Sequence, residues 1–119
     1  MLTSRERVQK ALNHQQPDRT PLDLGATAVT GISASALYRL REMLGLEKHP
    51  VYVHEPYQML GKVEEDLLDA LDMDVIGLGD DSTMFGFPAS DWRPFTLNDG
   101  TPIMVGRGFN TKRTPLPRQ

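Results

Sequence analysis

The sequence predicts an α/β fold, because residues 56–81 have the pattern of a helix that leads directly into a buried strand. Four apolar side chains recur at helical spacing in the first part of this stretch: Leu60, Val63, Leu67 and Leu71. Residues 75–78 then form an apolar run that is too short for a helix and rich in β-branched residues, which indicates a buried strand. The strand ends at Gly79, Asp80 and Asp81. Ligands of α/β proteins bind beyond the carboxyl ends of strands, so we expect the functional site there.

Composition is that of a single globular domain. The chain has 119 residues, of which 39% are apolar and 24% charged. It contains no cysteine, which excludes a disulfide framework and a thiolate metal site. No apolar run approaches the roughly 20 residues that span a bilayer, and the N-terminus lacks the apolar core of a signal peptide. We therefore expect a cytoplasmic protein with no membrane partner.

Charge is distributed unevenly along the chain. Residues 106–119 carry four basic side chains and no acid, so the net charge of −3 divides into +4 there and −7 over residues 1–105. Four charges in a proline-bearing tail make a small electrostatic footprint, and the acidic remainder repels phosphates. We expect no nucleic acid partner.

The first third of the chain predicts a helix, a strand and a loop. Thr3 with Glu6 fits a capping box, and the helix is expected from Ser4 to about His14, before a turn at Pro17. Residues Thr20–Leu24 alternate as a strand does. The loop that follows, residues 25–31, consists of small side chains that let a ligand approach the backbone. A plain connector explains this loop equally well, and both readings stay open.

A second helix is expected after Ser33 or Ser35, and Gly45 ends it. Residues 46–53 are predicted to be a connector. Residues 82–94 hold several aromatic side chains without any periodicity, which is typical of a functional loop or a packed insertion. Residues 95–97 and 103–105 flank a turn sequence and predict a β-hairpin, and little order is expected from Gly106 onward.

Several motifs resemble the start of uroporphyrinogen decarboxylase superfamily proteins. They lie in residues 3–8, 11–14, 17–25, 58–63, 74–79 and 92–95, and the most specific is the Arg-Glu-Arg…Pro-Asp-Arg opening. The resemblance covers residues 1–111, whereas residues 112–119 do not follow the family and are expected to be a disordered or aberrant tail.

The resemblance implies the N-terminal portion of a (β/α)8 barrel with a β-hairpin insertion. A complete barrel needs about 250 residues, so this chain is expected to supply an incomplete barrel with two strands, Thr20–Leu24 and Val75–Leu78. Both strands would then have unpaired edges. We expect such a fragment to be inactive alone and to depend on further sequence for a proper core.

The resemblance also implies one of two chemistries, decarboxylation of a tetrapyrrole or methyl transfer between a corrinoid protein and a thiol. The decarboxylases carry an arginine-rich segment after the first barrel strand, but residues 25–31 contain no arginine here, which favours the methyltransferase-like or an uncharacterised branch. Zinc and a corrinoid partner are possible in a full-length relative, with the zinc ligands late in the chain. A small tetrapyrrole or methyl-donor substrate and a homodimer are further expectations.

Candidate site residues come partly from this resemblance and partly from the small-residue loop and the end of the predicted strand. Asp80 or Asp81 matches the aspartate that steadies positive charge in the decarboxylases, and the alignment does not choose between the two. Gly25, Thr27 and Gly79 are expected to contact substrate. No metal site is expected in this chain, because its histidines do not have the spacing of a ligand pair. The alternative function is a small binding or assembly module that uses the aromatic loop and the hairpin.

Overall fold

The computed structural model describes residues 1–79, 81–83 and 86–110. Within them lie three helices, α1 to α3, and four strands, β1 to β4. In chain order they are α1 Ser4–Leu12, α2 Ala34–Met43, β1 Val51–Glu55, β2 Leu60–Gly61, α3 Glu65–Ala70, β3 Arg93–Thr96 and β4 Pro102–Val105. None of these described helices is long and apolar enough to cross a membrane.

The four strands form one mixed sheet with the order β2-β1-β4-β3. Strand β1 pairs in parallel with β4, where Val51 lies opposite Ile103, and antiparallel with β2. Strands β3 and β4 form an antiparallel hairpin in which Phe95 lies opposite Ile103. The predicted hairpin is therefore confirmed, because its turn sequence and flanking apolar residues specify the pairing locally.

The core lies between α2 and one face of the sheet. Alternate residues of β1 are buried, as the two-residue period of a strand requires when one face is covered. The buried apolar cluster is formed by Ala34, Leu37, Val51, Val53, Leu67, Ile103 and Val105. The core thus unites residues from both ends of the described chain.

The expected portion of a (β/α)8 barrel is wrong. The sheet is built from other segments, and neither residues 20–24 nor residues 75–78 form a strand. The two segments do meet, since the Asp74 N–H donates to the Leu22 carbonyl at 2.9 Å. The side chains of Ile76 and Leu78 are nevertheless 63% and 94% exposed. A buried strand needs cover on both faces, and this stretch lacks that cover.

The helix predicted from Pro56 is also wrong in its first half. The Glu55 carboxylate accepts hydrogen bonds from the Tyr57 and Gln58 N–H groups at 3.0 and 2.6 Å, which holds a turn. The backbone of residues 59–62 then forms hydrogen bonds with another segment: the Met59 carbonyl accepts from the Ala34 N–H, and the Gly61 N–H donates to the Ile32 carbonyl. These backbone groups are engaged in tertiary pairing, so only the six residues of α3 remain helical. The predicted connector 46–53 likewise contains the start of β1.

Helices α1 and α2 agree with the predictions apart from their last residues. The Thr3 hydroxyl accepts from the Glu6 N–H at 3.2 Å, and the Glu6 carboxylate accepts from the Thr3 N–H at 2.8 Å, which completes the expected capping box. Helix α2 is capped by Ser33 rather than Ser35. Local side-chain chemistry fixes both starts.

Replacing Thr3 by alanine is expected to destabilise the chain by about 1 kcal/mol, because the first turn of α1 then loses the acceptor for an unpaired N–H. Urea unfolding followed by circular dichroism measures the change. Thr3→Ser keeps the hydroxyl and serves as the control. Equal stability of the alanine and serine variants would contradict this role for the cap.

Candidate functional site

A cleft of 960 Å³ lies on the face of β1 opposite α2. Its walls come from four parts of the described chain: the loop 25–28, strand β1, the segment 62–68 and the segment 76–79. Ser82, Thr83, Ala89 and Trp92 close one side. The cleft is thus assembled from segments that are far apart in sequence, and it is large enough for a small organic ligand.

Two glycines allow the walls to approach one another. Gly25 adopts a φ of +82°, in the left-handed region, and a Cβ there would lie 3.0 Å from Val63 Cβ. A Cβ on Gly77 would lie 2.6 Å from the Ala26 carbonyl oxygen. A larger side chain at Gly25 therefore has to displace the loop 25–28 from the segment 62–68, and one at Gly77 has to displace it from the segment 76–79.

Three of the predicted site residues lie in this cleft. Gly25, Thr27 and Gly79 all line it, although they are separated by up to 54 positions in the sequence, 79 minus 25. Asp81 is exposed and lies next to the lining residue Ser82, and its carbonyl accepts the Ala89 N–H at 2.9 Å. Asp80 lies outside the described residues. The structure thus brings together the predicted contact residues, while the roles of the two aspartates stay predictions.

Strand β1 contributes cleft residues that the sequence analysis missed. Tyr52 and His54 line the cleft, whereas Val51 and Val53 point to the core. The Tyr52 ring meets that of Trp92 edge to face, with centroids 5.1 Å apart. The signal was present, because residues 51–54 alternate between valine and a larger polar or aromatic side chain, as a half-buried strand does.

His54 carries a ring nitrogen without a protein partner. Among the described residues, its Nε2 atom is buried and accepts or donates no hydrogen bond. Burial lowers the pKa of His54, while the nearby charge of Glu55 acts in the opposite direction. Burial thus favours the neutral form of the imidazole. A buried polar atom that lacks a bond is costly unless water or a ligand satisfies it.

The cleft is acidic. Glu55, Glu64 and Glu65 line it, and Lys62 is the one cationic side chain in the lining that the structure describes. The Glu55 carboxylate is buried and engaged in the turn described above. Glu65 is exposed at the start of α3. The described lining thus carries three carboxylates against one ammonium group.

Glu64 is held in place by residues behind the cleft. The His49 Nε2 atom lies 2.8 Å from the Glu64 carboxylate, and the Arg41 guanidinium lies 3.8 Å from it. Arg41 also binds Asp66 through two bonds of 2.8 and 2.7 Å. The hydrogen bond from Arg41 lowers the pKa of Asp66 despite partial burial. This cluster fixes the entry to α3 and, with it, one wall of the cleft.

A metal ion has no evident site in these residues. Over the part of the chain that is described, no group of three or more His, Asp or Glu side chains could hold one. The zinc expected for a full-length relative stays a prediction.

A second groove lies beside the cleft, on the other side of Trp92. It has a volume of 780 Å³ and is lined mainly by apolar side chains, among them Tyr57, Phe87, Trp92 and Phe109. Phe87 and Tyr57 are exposed. This groove contains the part of the aromatic loop that is described, so it is the surface that the predicted binding module would use.

Known proteins do not settle which of these surfaces is functional. Compared with models of known protein families, with curated proteins and with solved structures, the chain has no significant match in any of the three.

Proposed function

We propose that this chain supplies a small-molecule cleft to an enzyme related to the uroporphyrinogen decarboxylase family, and that its chemistry is methyl transfer rather than porphyrin decarboxylation. One observation carries the proposal: Gly25 and Thr27 of the small-residue loop and Gly79 after the predicted strand were expected to contact substrate, and all three line a single cleft.

Charge in the cleft supports methyl transfer over decarboxylation. A uroporphyrin carries several carboxylates, and recognition of such a ligand needs fixed cations, of which arginine is the most effective. The described lining contains no arginine, and its single Lys62 stands against three glutamates. A polycarboxylate would be repelled. A methyl donor does not carry several carboxylates. In this proposal the corrinoid and the zinc are supplied from outside the described residues.

Binding of methylcobalamin and of uroporphyrin to the full chain tests the proposal by equilibrium dialysis. We expect methylcobalamin to be retained, and uroporphyrin to bind at least about tenfold more weakly. Gly79→Phe is expected to reduce methylcobalamin retention about tenfold or more, because position 79 lines the cleft and has no atom within 4 Å of an added Cβ.

Gly79→Ala is the matched control, since a single methyl group in that open space leaves the cleft free. It should bind as the parent chain does. Tighter binding of uroporphyrin, or equal binding by the phenylalanine and alanine variants, would remove the support for methyl transfer in this cleft.

The apolar groove supports a second candidate, a non-catalytic binding or assembly module. Its aromatic side chains offer the kind of surface on which a partner segment docks. Size-exclusion chromatography and thermal melting of the full chain separate the two candidates. The module is favoured if the chain is a monomer that melts cooperatively and binds none of the cleft ligands. It is also favoured if a protein partner binds the chain and Phe87→Ala abolishes that binding.

A further inference from the structure

The charged and the aromatic groups of the cleft both favour cationic ligands. Carboxylates attract cations, and the faces of tryptophan and tyrosine rings do the same through their quadrupoles. The cleft places Trp92 and Tyr52 in one lining with Glu64 and Glu65. Enclosed walls of one charge also concentrate ions of the opposite charge.

We propose that the cleft binds an organic ammonium cation, of the class in which methyl groups surround a positively charged nitrogen. The proposal deepens the proposed function, on which it rests for the identity of the substrate site. It names a substrate class that carries transferable methyl groups and that needs no arginine for recognition. Binding alone is proposed, and no bond is formed or broken in it.

The aromatic and acidic side chains of the lining each contribute to binding of the cation. The aromatic pair, Tyr52 and Trp92, offers ring surface to the methyl groups of the cation. Glu65 makes no ion pair among the residues described, so its charge is available to the ligand. His54 adds a further ring to the lining, although its Nε2 atom is covered and is assigned no contact with the ligand.

The opposing charge does not cancel this preference. Lys62 and Glu65 are both exposed at the cleft, so solvent screens the two charges alike. Glu64 is paired with the Arg41 guanidinium at 3.8 Å, which partly compensates its charge, whereas Glu55 is held by the N–H groups of the turn and has no cation beside it among the described residues. The field inside the cleft therefore favours a cation over a neutral or anionic ligand of the same shape.

Choline and 3,3-dimethylbutan-1-ol test the proposal, because they have nearly the same shape and differ in the charge at the branched end. Titration calorimetry on the full chain compares their affinities. Trp92 is the one tryptophan of the sequence, so its emission reports whether the ligand reaches this wall. We expect choline to bind at least about tenfold more tightly and to weaken as salt rises, unlike the alcohol.

Glu65→Gln and Asp69→Asn make a matched pair of variants. Both remove one charge from α3, but Glu65 lines the cleft and Asp69 does not. Glu65→Gln should weaken choline several-fold and leave the alcohol unchanged, and Asp69→Asn should bind as the parent does. Equal affinities for the two ligands, or equal effects of the two substitutions, overturn the proposal.

The same experiment separates this proposal from the proposed function. If methylcobalamin binds in the Gly79-dependent manner described above while choline has no advantage over the alcohol, the ammonium preference is wrong and the cleft remains the substrate site. If methylcobalamin, choline and the alcohol all fail to bind and Trp92 emission does not change, both proposals fall together.

Discussion

Replacing Asp74 by asparagine is expected to destabilise the chain by about 3 kcal/mol, because it removes the shared anion of a buried ion cluster. The Asp74 side chain is fully buried, and its carboxylate lies 2.5 Å from Arg7 and 2.8 Å from Arg19. It also accepts the Leu22 N–H at 2.9 Å. Without that charge, the guanidinium of Arg7 stays buried with only Asp18 to balance it.

Asp72→Asn is the matched control for this substitution. The Asp72 carboxylate also binds Arg19, at 3.1 Å, but it is exposed, and such surface pairs contribute about 0.5 kcal/mol. Asparagine also tolerates the positive φ of that position, 54°, so no backbone strain is added. Urea unfolding measures both variants. Similar losses in the two would show that burial of the cluster is not what stabilises the chain.

Acid pH gives a second readout of the same cluster. Burial acts to raise the pKa of Asp74, but hydrogen bonds from Leu22, Ser4, Arg7 and Arg19 outweigh it and lower the pKa to about 2, from an ordinary value of 3.8. The unfolded chain therefore takes up this proton first as the pH falls. The stabilisation is complete above pH 3.8 and is lost as the pH falls towards about 2. The gap in stability between the parent chain and Asp74→Asn should close over that interval.

This cluster gives a structural reason for the most specific motif in the sequence. Arg7, Asp18 and Arg19 belong to the Arg-Glu-Arg…Pro-Asp-Arg opening, and the structure joins all three to Asp74 or to one another. The cluster ties α1 to the turn after α3. The motif therefore marks how the N-terminal segment is attached to the rest of the fold, and it touches no part of the cleft lining that is described.

Elements whose signals are local were predictable from the sequence. The capping box of α1, the Ser33 cap of α2 and the hairpin of β3 and β4 each depend on side chains within a few residues. Such contacts form regardless of what the remainder of the chain does. They were correct for that reason.

Elements decided by distant partners were not predictable in the same way. Leu60 and Val63 fit a helical stripe, but Leu60 instead enters the sheet because its neighbours bond to β1 and to the entry of α2. Residues 75–78 are as apolar as a core strand, but they do not pair with any strand of the described sheet. Periodicity reports which side chains avoid water, and it does not report which partner covers them.

The candidate site residues also divide into those with a local sequence signal and those placed by distant partners. Gly25 and Thr27 were chosen from a loop of small residues and Gly79 from the end of a predicted strand, and Gly77 permits these two segments to meet because its missing Cβ leaves room for the Ala26 carbonyl. Tyr52 was missed because residues 46–53 were interpreted as a connector, and His54, which follows directly, was considered only as a metal ligand. Their place in the cleft follows from the parallel pairing of β1 with β4, which joins residues about 50 positions apart.

Gly61→Ala is expected to destabilise the chain by about 2 kcal/mol, although alanine is ordinarily well tolerated in place of glycine. An added Cβ would lie 2.5 Å from Val51 Cγ1 and 2.6 Å from Leu37 Cδ2. Both of those side chains are almost completely buried, so neither can move aside without disturbing the core between β1 and α2. Thermal and urea unfolding measure the loss.

Two comparisons show whether crowding at position 61 is the cause. Gly79→Ala makes the same chemical change where an added Cβ meets no atom within 4 Å, so it should be neutral or slightly stabilising, since alanine restricts the unfolded chain. Val51→Ala removes the nearer methyl group, and in that background Gly61→Ala should cost about 1 kcal/mol less. An unchanged cost in both backgrounds would contradict the close approach of position 61 to Val51, because removal of that methyl group would then relieve no crowding, and the cost would have to come from Leu37 alone.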